Sequence, residues 1–261
     1  MLDSAKCKVL TIDIETTMCE SMVFRTGKQV VSSDQLVSVP KISCVTYKQY
    51  GKEAKSLLWD REKQCDEKLL STLSDILVEA HLMIGHNFGN FDYKFLQARA
   101  WLNGLPPIPS VEIFDTYREA KKIFNLPSLK LDYLCKIKFG DGKSDSGGIQ
   151  GFINTTKGCL ESLMKMVQYN QKDVYLNEQL FLSMLPYANS TINVSSILGE
   201  TPNNCPSCGS SERHARGYRT TKRGRYQRYQ CNNCGAWYKG SENHFTKVHS
   251  TKNSINPTSN T

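Results

Sequence analysis

An α/β fold, a mixed sheet with helices packed on it, is predicted by three observations. Short apolar runs suited to strands recur between Val9 and Thr116. Segments with apolar residues at helical spacing alternate with them, in the order three strands, helix, strand, helix, strand, then helices. The composition, 39% hydrophobic and 22% charged over 261 residues, suits one substantial core with a small accessory module.

Residues 6–15 read as a buried strand, because Val9, Leu10, Ile12 and Ile14 are apolar. Residues 41–50 alternate and read as a second strand, and residues 54–59 as a third. Leu69, Leu70, Leu73, Ile76 and Leu77 then recur at helical spacing, which predicts a helix from about Asp66 to Ala80. Leu82 to Gly85 is a short buried strand. Phe91 to Leu102 is helical and is stopped by Asn103-Gly104 and the prolines 106, 107 and 109. Val111 to Thr116 is a fifth strand. Ser128 is placed to cap a helix carrying Leu129, Leu131, Leu134 and Ile137. Gly140 to Gly151 reads as a polar, glycine-rich surface loop, and Cys159 to Leu185 as a long helical stretch. Residues 1–190 are therefore expected to form the main domain, 191–202 a linker, 203–240 a cysteine module and 241–261 a disordered tail.

No apolar run approaches the roughly 18 residues of a membrane span. The N-terminus lacks a signal-peptide pattern, so the expected location is the cytoplasm, or the host cytoplasm for a viral source. The formal charge of +8 is uneven. Residues 200–261 hold 10 Lys and Arg against 3 Asp and Glu, a net +7, while residues 1–199 hold 23 against 22. A basic C-terminal segment is a footprint for a polyanion, most commonly nucleic acid.

Four carboxylates carry the chemistry. Asp13 and Glu15 stand two apart on the first strand, and a period of two sends both to one face. Asp92 opens a helix after the turn Gly85-His86-Asn87-Phe88-Gly89-Asn90-Phe91. Tyr169 and Asp173 stand at i and i+4 on the last long helix. Each motif alone is ordinary. Asp-x-Glu can be a strand end, Asp92 a helix-start acid and Tyr-x-x-x-Asp a solvated helix face. Gathered in one pocket, the acids would need cations, and hard oxygen ligands suit Mg²⁺ or Mn²⁺ in two-metal phosphodiester chemistry. His86 reads as a hydrogen-bonded structural histidine. Gly140-Asp141-Gly142-Lys143 lacks the spacing of a phosphate-binding loop.

Taken in order, Asp13-Ile14-Glu15, Asn87-Phe88-Gly89-Asn90-Phe91-Asp92 and Tyr169-Asn170-Gln171-Lys172-Asp173 resemble the three motifs of the DEDDy 3′–5′ exonucleases. The likeness is to the proofreading domain of family-B DNA polymerases, which has a ribonuclease H-like fold. Lys130-Leu131-Asp132 and Phe139 to Lys143 are similar to the segment before that family's third motif. The resemblance covers roughly residues 6–185, and as no polymerase domain follows in the sequence, a free-standing nuclease is expected. It implies that Asp13 bridges two metal ions, Glu15 and Asp173 complete the first ion's shell, and Asp92 holds the second. It further implies that Tyr169 orients the attacking water and that Asn87 contacts the strand or orders the loop that carries Asp92. Thr16-Thr17-Met18-Cys19 departs from the family, which often has a glycine after the first motif, so contacts to the terminal nucleotide do not carry over. The substrate class implied is DNA with single-stranded or frayed 3′ ends. RNA, and a non-catalytic nucleic-acid-binding or replication-protein-docking module, stand as alternatives.

The ten cysteines form two groups. Cys7, Cys19, Cys44, Cys65, Cys135 and Cys159 are isolated and read as buried free thiols. Cys205, Cys208, Cys231 and Cys234 form two C-x-x-C pairs, each followed by glycine, which predicts one structural Zn²⁺ in a zinc ribbon. The 22 residues between the pairs fit a long hairpin. In that hairpin Arg216, Arg219, Lys222, Arg223, Arg225 and Arg228 alternate with tyrosines, a pattern that pairs phosphates and stacks bases. The other readings are a solvated basic hairpin and a surface for a protein partner.

Overall fold

A computed structural model describes residues 8–142, 147–188, 192–197 and 203–244. In chain order the elements begin with β1 (Val9–Thr16), β2 (Glu20–Ser21), β3 (Leu36–Ser38), β4 (Ile42–Gln49), β5 (Ala54–Leu58), α1 (Glu67–Val78), β6 (Leu82–Gly85), α2 (Asp92–Leu102) and β7 (Glu112–Asp115). There follow α3 (Thr116–Ile123), α4 (Leu131–Phe139), α5 (Gly148–Thr156), α6 (Leu160–Met184), α7 (Val194–Ile197), β8 (Arg213–Thr221), β9 (Gly224–Cys231) and β10 (Trp237–Asn243). Contacts divide the chain into two compact units, with the division between Ser183 and Met184.

The first unit is built on a five-stranded sheet in the order β5-β4-β1-β6-β7. β1 is antiparallel to β4 and parallel to β6, and β6 is parallel to β7. This is the mixed α/β sheet predicted. Leu10, Ile12 and Ile14 of β1 join Val45, Met83 and the α1 leucines 69, 70, 73 and 77 in one buried core, to which α2 adds Leu96 and Ala100 and α6 adds Leu163, Met166 and Val167. Asp66, immediately before α1, has a fully buried side chain. Its carboxylate accepts from Arg99 Nε at 2.7 Å and Nη2 at 2.8 Å, from Asn103 Nδ2 at 2.9 Å and from the Ile42 amide at 3.0 Å. That one group ties the start of α1 to the end of α2 and the edge of β4, and its buried charge is fully hydrogen-bonded.

Several expectations need correction. Helix α5 starts inside the segment read as a loop. It forms because Phe152 packs on the core, although its glycine-rich start hides the pattern. Ser128 does not occupy the capping position of α4. Lys130 does, and Ser128 Oγ only receives the Lys130 amide at 3.3 Å. The long helix α6 is continuous. Helix α3 and the short β2–β3 pair were not anticipated. Cys19 and Cys159 are exposed rather than buried, whereas Cys44 and Cys135 are buried as expected. β10 extends to Asn243, into the segment read as tail, while residues 245–261 and Cys7 lie outside the described residues.

The second unit holds a three-stranded sheet in the order β10-β9-β8, antiparallel throughout. No helix among the described residues is long and apolar enough to cross a membrane.

Candidate active site and metal centre

Parallel pairing of β1 with β6 (Thr11 beside Ile84) brings the C-terminal ends of both strands to one edge of the sheet. Ligands in open α/β sheets gather at such edges. Asp13 lies two residues beyond Thr11, and the turn that leads to Asp92 leaves β6 two residues beyond Ile84. Across the antiparallel partner, Asp13 faces Thr46 and Glu15 faces Cys44. Directly opposed residues share a face, so both acids lie on the side of Cys44. The Cys44 thiol is held well above its ordinary range, first by burial and then by the charges of Glu15 and Asp13. Two carboxylates therefore act on one buried spot.

Helix α6 supplies the third motif. Asn170, fully buried, donates from Nδ2 to Asp13 Oδ2 at 2.6 Å. Tyr169 precedes it and is half-buried, and Asp173, three residues on, is 2% exposed. Met166 is the acceptor for Ser43 Oγ at 3.6 Å, and that hydroxyl also lies 3.0 Å from the Glu15 carbonyl. Thus α6 crosses β1 and β4 with Met166 near Glu15 and Asn170 on Asp13.

The second motif is fixed by a residue the sequence reading missed. Asp115, at the end of β7, is buried and accepts the amides of Asn87 at 2.9 Å, Gly89 at 3.3 Å and Arg118 at 3.1 Å. Asn87 adopts φ +62°, a left-handed conformation that asparagine tolerates better than most residues. Its carbonyl receives the amides of Asn90 and Phe91, both at 3.2 Å, and its Oδ1 receives Asn90 Nδ2 at 3.3 Å. Phe88 packs directly over Gly85, where an added Cβ would come within 2.3 Å of the Phe88 Cβ. Asp92, the first residue of α2, is 5% exposed. A strand-end Asp just before a polar helix start, here Asp115-Thr116, is the signal that could have found Asp115.

His86 is the structural residue expected. Nδ1 is 2.9 Å from Thr116 Oγ1 and Nε2 is 3.0 Å from the Leu129 carbonyl. The buried Thr116 hydroxyl also lies 2.7 Å from Asn177 Oδ1 on α6 and 3.1 Å from the Gly85 carbonyl. A cavity of about 490 Å³ opens here, lined by His86, Asn87, Tyr117, Lys130, Leu131 and Asp132. It brings the Lys130-Leu131-Asp132 segment to the second motif. A larger cleft of about 770 Å³ beside β5 and α1 includes none of the predicted site residues.

Among the described residues, the group of three or more His, Cys, Asp or Glu whose ligand atoms all lie within 4.8 Å of one another is Cys205, Cys208, Cys231 and Cys234. The four acids do not meet that distance in this structure. Donors that share two ions about 3.5–4 Å apart are not held to so tight a circle, and unscreened carboxylates repel.

The cysteines fit zinc closely. Cys205 and Cys234 Sγ lie 3.7 Å apart, and Cys208 and Cys231 Sγ 3.6 Å. Tetrahedral Zn–S bonds of about 2.3 Å give sulfur–sulfur edges of about 3.8 Å. Each pair sits on the same turn. The Gly209 amide donates to Cys205 O at 2.8 Å and the Gly235 amide to Cys231 O at 3.0 Å. Both glycines have positive φ, +75° and +78°, which side chains resist. Burial pushes the Cys205 thiol up to about 11. Burial acts the same way on Cys231, but the amides of Cys234 and Asn233 outweigh it and bring that thiol down to about 7. Burial and neighbouring sulfurs push Cys234 higher still. Such a set is untenable as four thiolates unless a cation neutralises it.

The six predicted cations of the hairpin do not form one surface. Arg219 and Arg228 share a sheet face, Arg225 lies on the other face over the Tyr218 ring at 4.2 Å, Lys222 and Arg223 form the turn, and Arg216 lies in the bulge between Ala215 and Tyr218.

No family model matches the chain, and no curated protein matches it. Among solved structures the chain is similar to the family B DNA polymerase from the hyperthermophilic archaeon Pyrobaculum calidifontis, with 13% identity and a TM-score of 0.50. The match covers 75% of this chain and 27% of that one, so the chain spans about a quarter of the polymerase's length. At this identity the likeness is one of fold: the chain carries a fold that also occurs in a DNA polymerase.

Proposed function

We propose that the chain is a metal-dependent 3′–5′ exonuclease of the DEDDy type acting on DNA 3′ ends, with a zinc ribbon that holds nucleic acid. The observation that carries the reading is the hydrogen bond from Asn170 to Asp13, which joins the first and third motifs at the sheet edge where the second motif begins. Fold likeness to a DNA polymerase supports it.

In this reading Asp13, Glu15, Asp92 and Asp173 hold two Mg²⁺ or Mn²⁺ ions, which when bound supply charge stabilisation to the attacking and leaving oxygens. Asp13 and Glu15 present their carboxylates from a rigid strand, so they need little reorganisation on binding. Tyr169 orients the water by its phenol. Asn87, held in its turn by Asp115, faces the strand. The nuclease occupies residues 1–190, followed by a linker over 191–202 and the ribbon from 203, which carries a structural Zn²⁺ on its four cysteines.

The test is incubation of the purified protein with 5′-end-labelled DNA and RNA strands in Mg²⁺, in Mn²⁺ and without a divalent ion. The expected result is a ladder of products shortened from the 3′ end, formed only with metal and faster on DNA. Cleavage without metal, or an intact strand under all conditions, overturns the proposal. Preference for the RNA strand changes the substrate and keeps the mechanism.

A further inference from the structure

We propose that one face of the β8–β9–β10 sheet is a stacking platform for single-stranded nucleic acid, centred on Trp237 and Tyr226. The inference rests on the reading that the ribbon holds nucleic acid and assigns that role to a surface the hairpin's charge alone does not reveal.

Opposed residues in antiparallel strands share a face. Pairing of Trp237 with Gln230 and His214 with Gln230, of Lys239 with Arg228, and of Arg219 with Tyr226 therefore collects His214, Arg219, Tyr226, Arg228, Trp237 and Lys239 on one side. No acid is among the paired residues of this face. The opposite face carries Cys231, Tyr229 and Tyr238, of which Cys231 and Tyr238 belong to the cysteine core. The sheet is thus two-sided: the cysteine cluster packs on one face, which also carries Tyr218 and Arg225, and Trp237 and Lys239 stand exposed on the other.

The Trp237 face combines charge and flat rings. The Arg228 guanidinium lies 4.8 Å from the Trp237 ring centroid, and Lys239 Nζ lies 4.3 Å from that of Tyr226. Arg228 Nε also donates to the Arg216 carbonyl at 3.1 Å, which fixes its fork beside the indole. Trp237 is 53% exposed although it sits in a strand. An exposed tryptophan with a positioned cation gives a base a flat surface and its phosphate a charge in the same contact. Four strand positions separate Tyr226 from the partner of Trp237, about 14 Å along the strand, so one chain can engage both rings with Arg228 between them. Duplex DNA hides its base faces, and an acidic peptide would use the cations and leave the rings idle. The arrangement therefore favours an unpaired strand.

The test uses the full chain with a fluorescent 12-mer of thymidine and the matching duplex, without added Mg²⁺ or Mn²⁺, read by anisotropy. Zinc content is measured for each variant, so that an unfolded ribbon is recognised and set aside. Trp237→Ala and Tyr226→Ala are each expected to weaken single-strand binding about tenfold or more. Trp237→Phe should keep most of the wild-type affinity. Wild-type affinity in both alanine variants with zinc retained overturns the platform. If Arg219→Gln and Arg228→Gln weaken binding while the aromatic variants do not, the ribbon still holds phosphates but the platform is wrong. If no ribbon variant matters, the platform falls and a protein partner takes its place. The nuclease reading is scored separately, by metal-dependent shortening of a short labelled strand. Wild-type protein that binds but never cleaves sinks that reading and leaves the platform standing.

Discussion

Asn170 and Asp13, 157 residues apart in sequence, are joined by a 2.6 Å hydrogen bond from Nδ2 to Oδ2. The contact sets helix α6 against strand β1 and supplies the donor that a carboxylate near other acids needs when no cation is bound. Asn170 itself is fully buried, so its amide has no competing solvent. A buried side-chain hydrogen bond to a charged acceptor contributes about 1.5–3 kcal/mol. Asn170→Ala is therefore expected to lower stability by roughly that amount and to reduce cleavage about tenfold or more through displacement of Asp13. Denaturant unfolding and single-turnover cleavage measure the two effects. Normal cleavage in a folded Asn170→Ala protein would show that the contact does not position the acid.

Asp13→Ala separates catalysis from stability. Removing one of several neighbouring carboxylates relieves repulsion but also removes the Asn170 hydrogen bond, so the metal-free variant should lose no more stability than Asn170→Ala does, while cleavage disappears. Mg²⁺ should raise the melting temperature of the wild type, because a ligand bound only by the native state stabilises it. That rise should shrink or vanish in Asp13→Ala. Tyr169→Phe should be milder, since it keeps the ring and removes one hydrogen bond. Full activity in Asp13→Ala would remove the assigned mechanism.

Asp115 is predicted to matter as much as the motif it supports. With Asp115→Ala the amides of Asn87, Gly89 and Arg118 lose their acceptor; these donors are only part-buried, so water replaces some of the loss and the cost is at most about 1–3 kcal/mol each. Cleavage should fall mainly in kcat, and amide exchange should quicken at Asn87 and Gly89. Asp115→Asn, which keeps one carbonyl oxygen, should be intermediate. Unchanged exchange at both amides would mean that the turn holds itself.

These residues also mark where the sequence was legible. Strands β1, β4 and β6 and helices α1 and α2 announce themselves through apolar periodicity, because their buried faces are continuous. The acids are legible as short local patterns. Asp115, Asn170 and the Asp66–Arg99 pair are not, since each acts on a partner 26 to 157 residues away and leaves no local pattern. Helix α5 was lost because Gly147, Gly148 and Gly151 argue for a loop, whereas Phe152 and the fully buried Thr155 are fixed by tertiary contact. The charged hairpin was legible in composition, but its division into two faces depends on strand register and on the bulge after Ala215.

The Asp66–Arg99 pair predicts a dependence on acid. Burial raises the Asp66 carboxyl, but the hydrogen bonds from Arg99, Ile42 and Asn103 outweigh it, and the group ends below the ordinary carboxylate range. A carboxyl depressed in the folded state stabilises the protein above its unfolded pKa, about 3.9, and that stabilisation is lost as pH falls through the lower folded value. Asp66→Asn leaves Arg99 buried without its counter-charge, which should cost about 3–5 kcal/mol at pH 7. The gap between wild type and Asp66→Asn in urea stability should narrow as pH drops below about 4. A gap that stays constant to pH 3 would show that the pair does not titrate in that window.

Zinc removal should act on the second unit alone. Among the described residues, the apolar cluster of its three-stranded part is Cys205, Cys231 and Ala236, with Cys208, Cys234 and Tyr238 packed against them. That is far too little buried surface to hold three strands, and domains of this size normally need a metal or disulfides. The four cysteines form no disulfides and set two sulfur pairs at 3.6 and 3.7 Å, an arrangement in which a bound zinc ion is expected to supply the missing cohesion. A strong chelator should release one zinc per chain and make the β8–β9 hairpin sensitive to trypsin, which has Arg216, Arg219, Lys222, Arg223, Arg225 and Arg228 to cut at. The unit over residues 7–183, with its own sheet and core, should keep its melting transition. Cys231→Ser should mimic the chelator. A hairpin that resists trypsin after complete zinc loss would show that the cysteines pack without an ion, and the centre would then be a structural cluster of thiols.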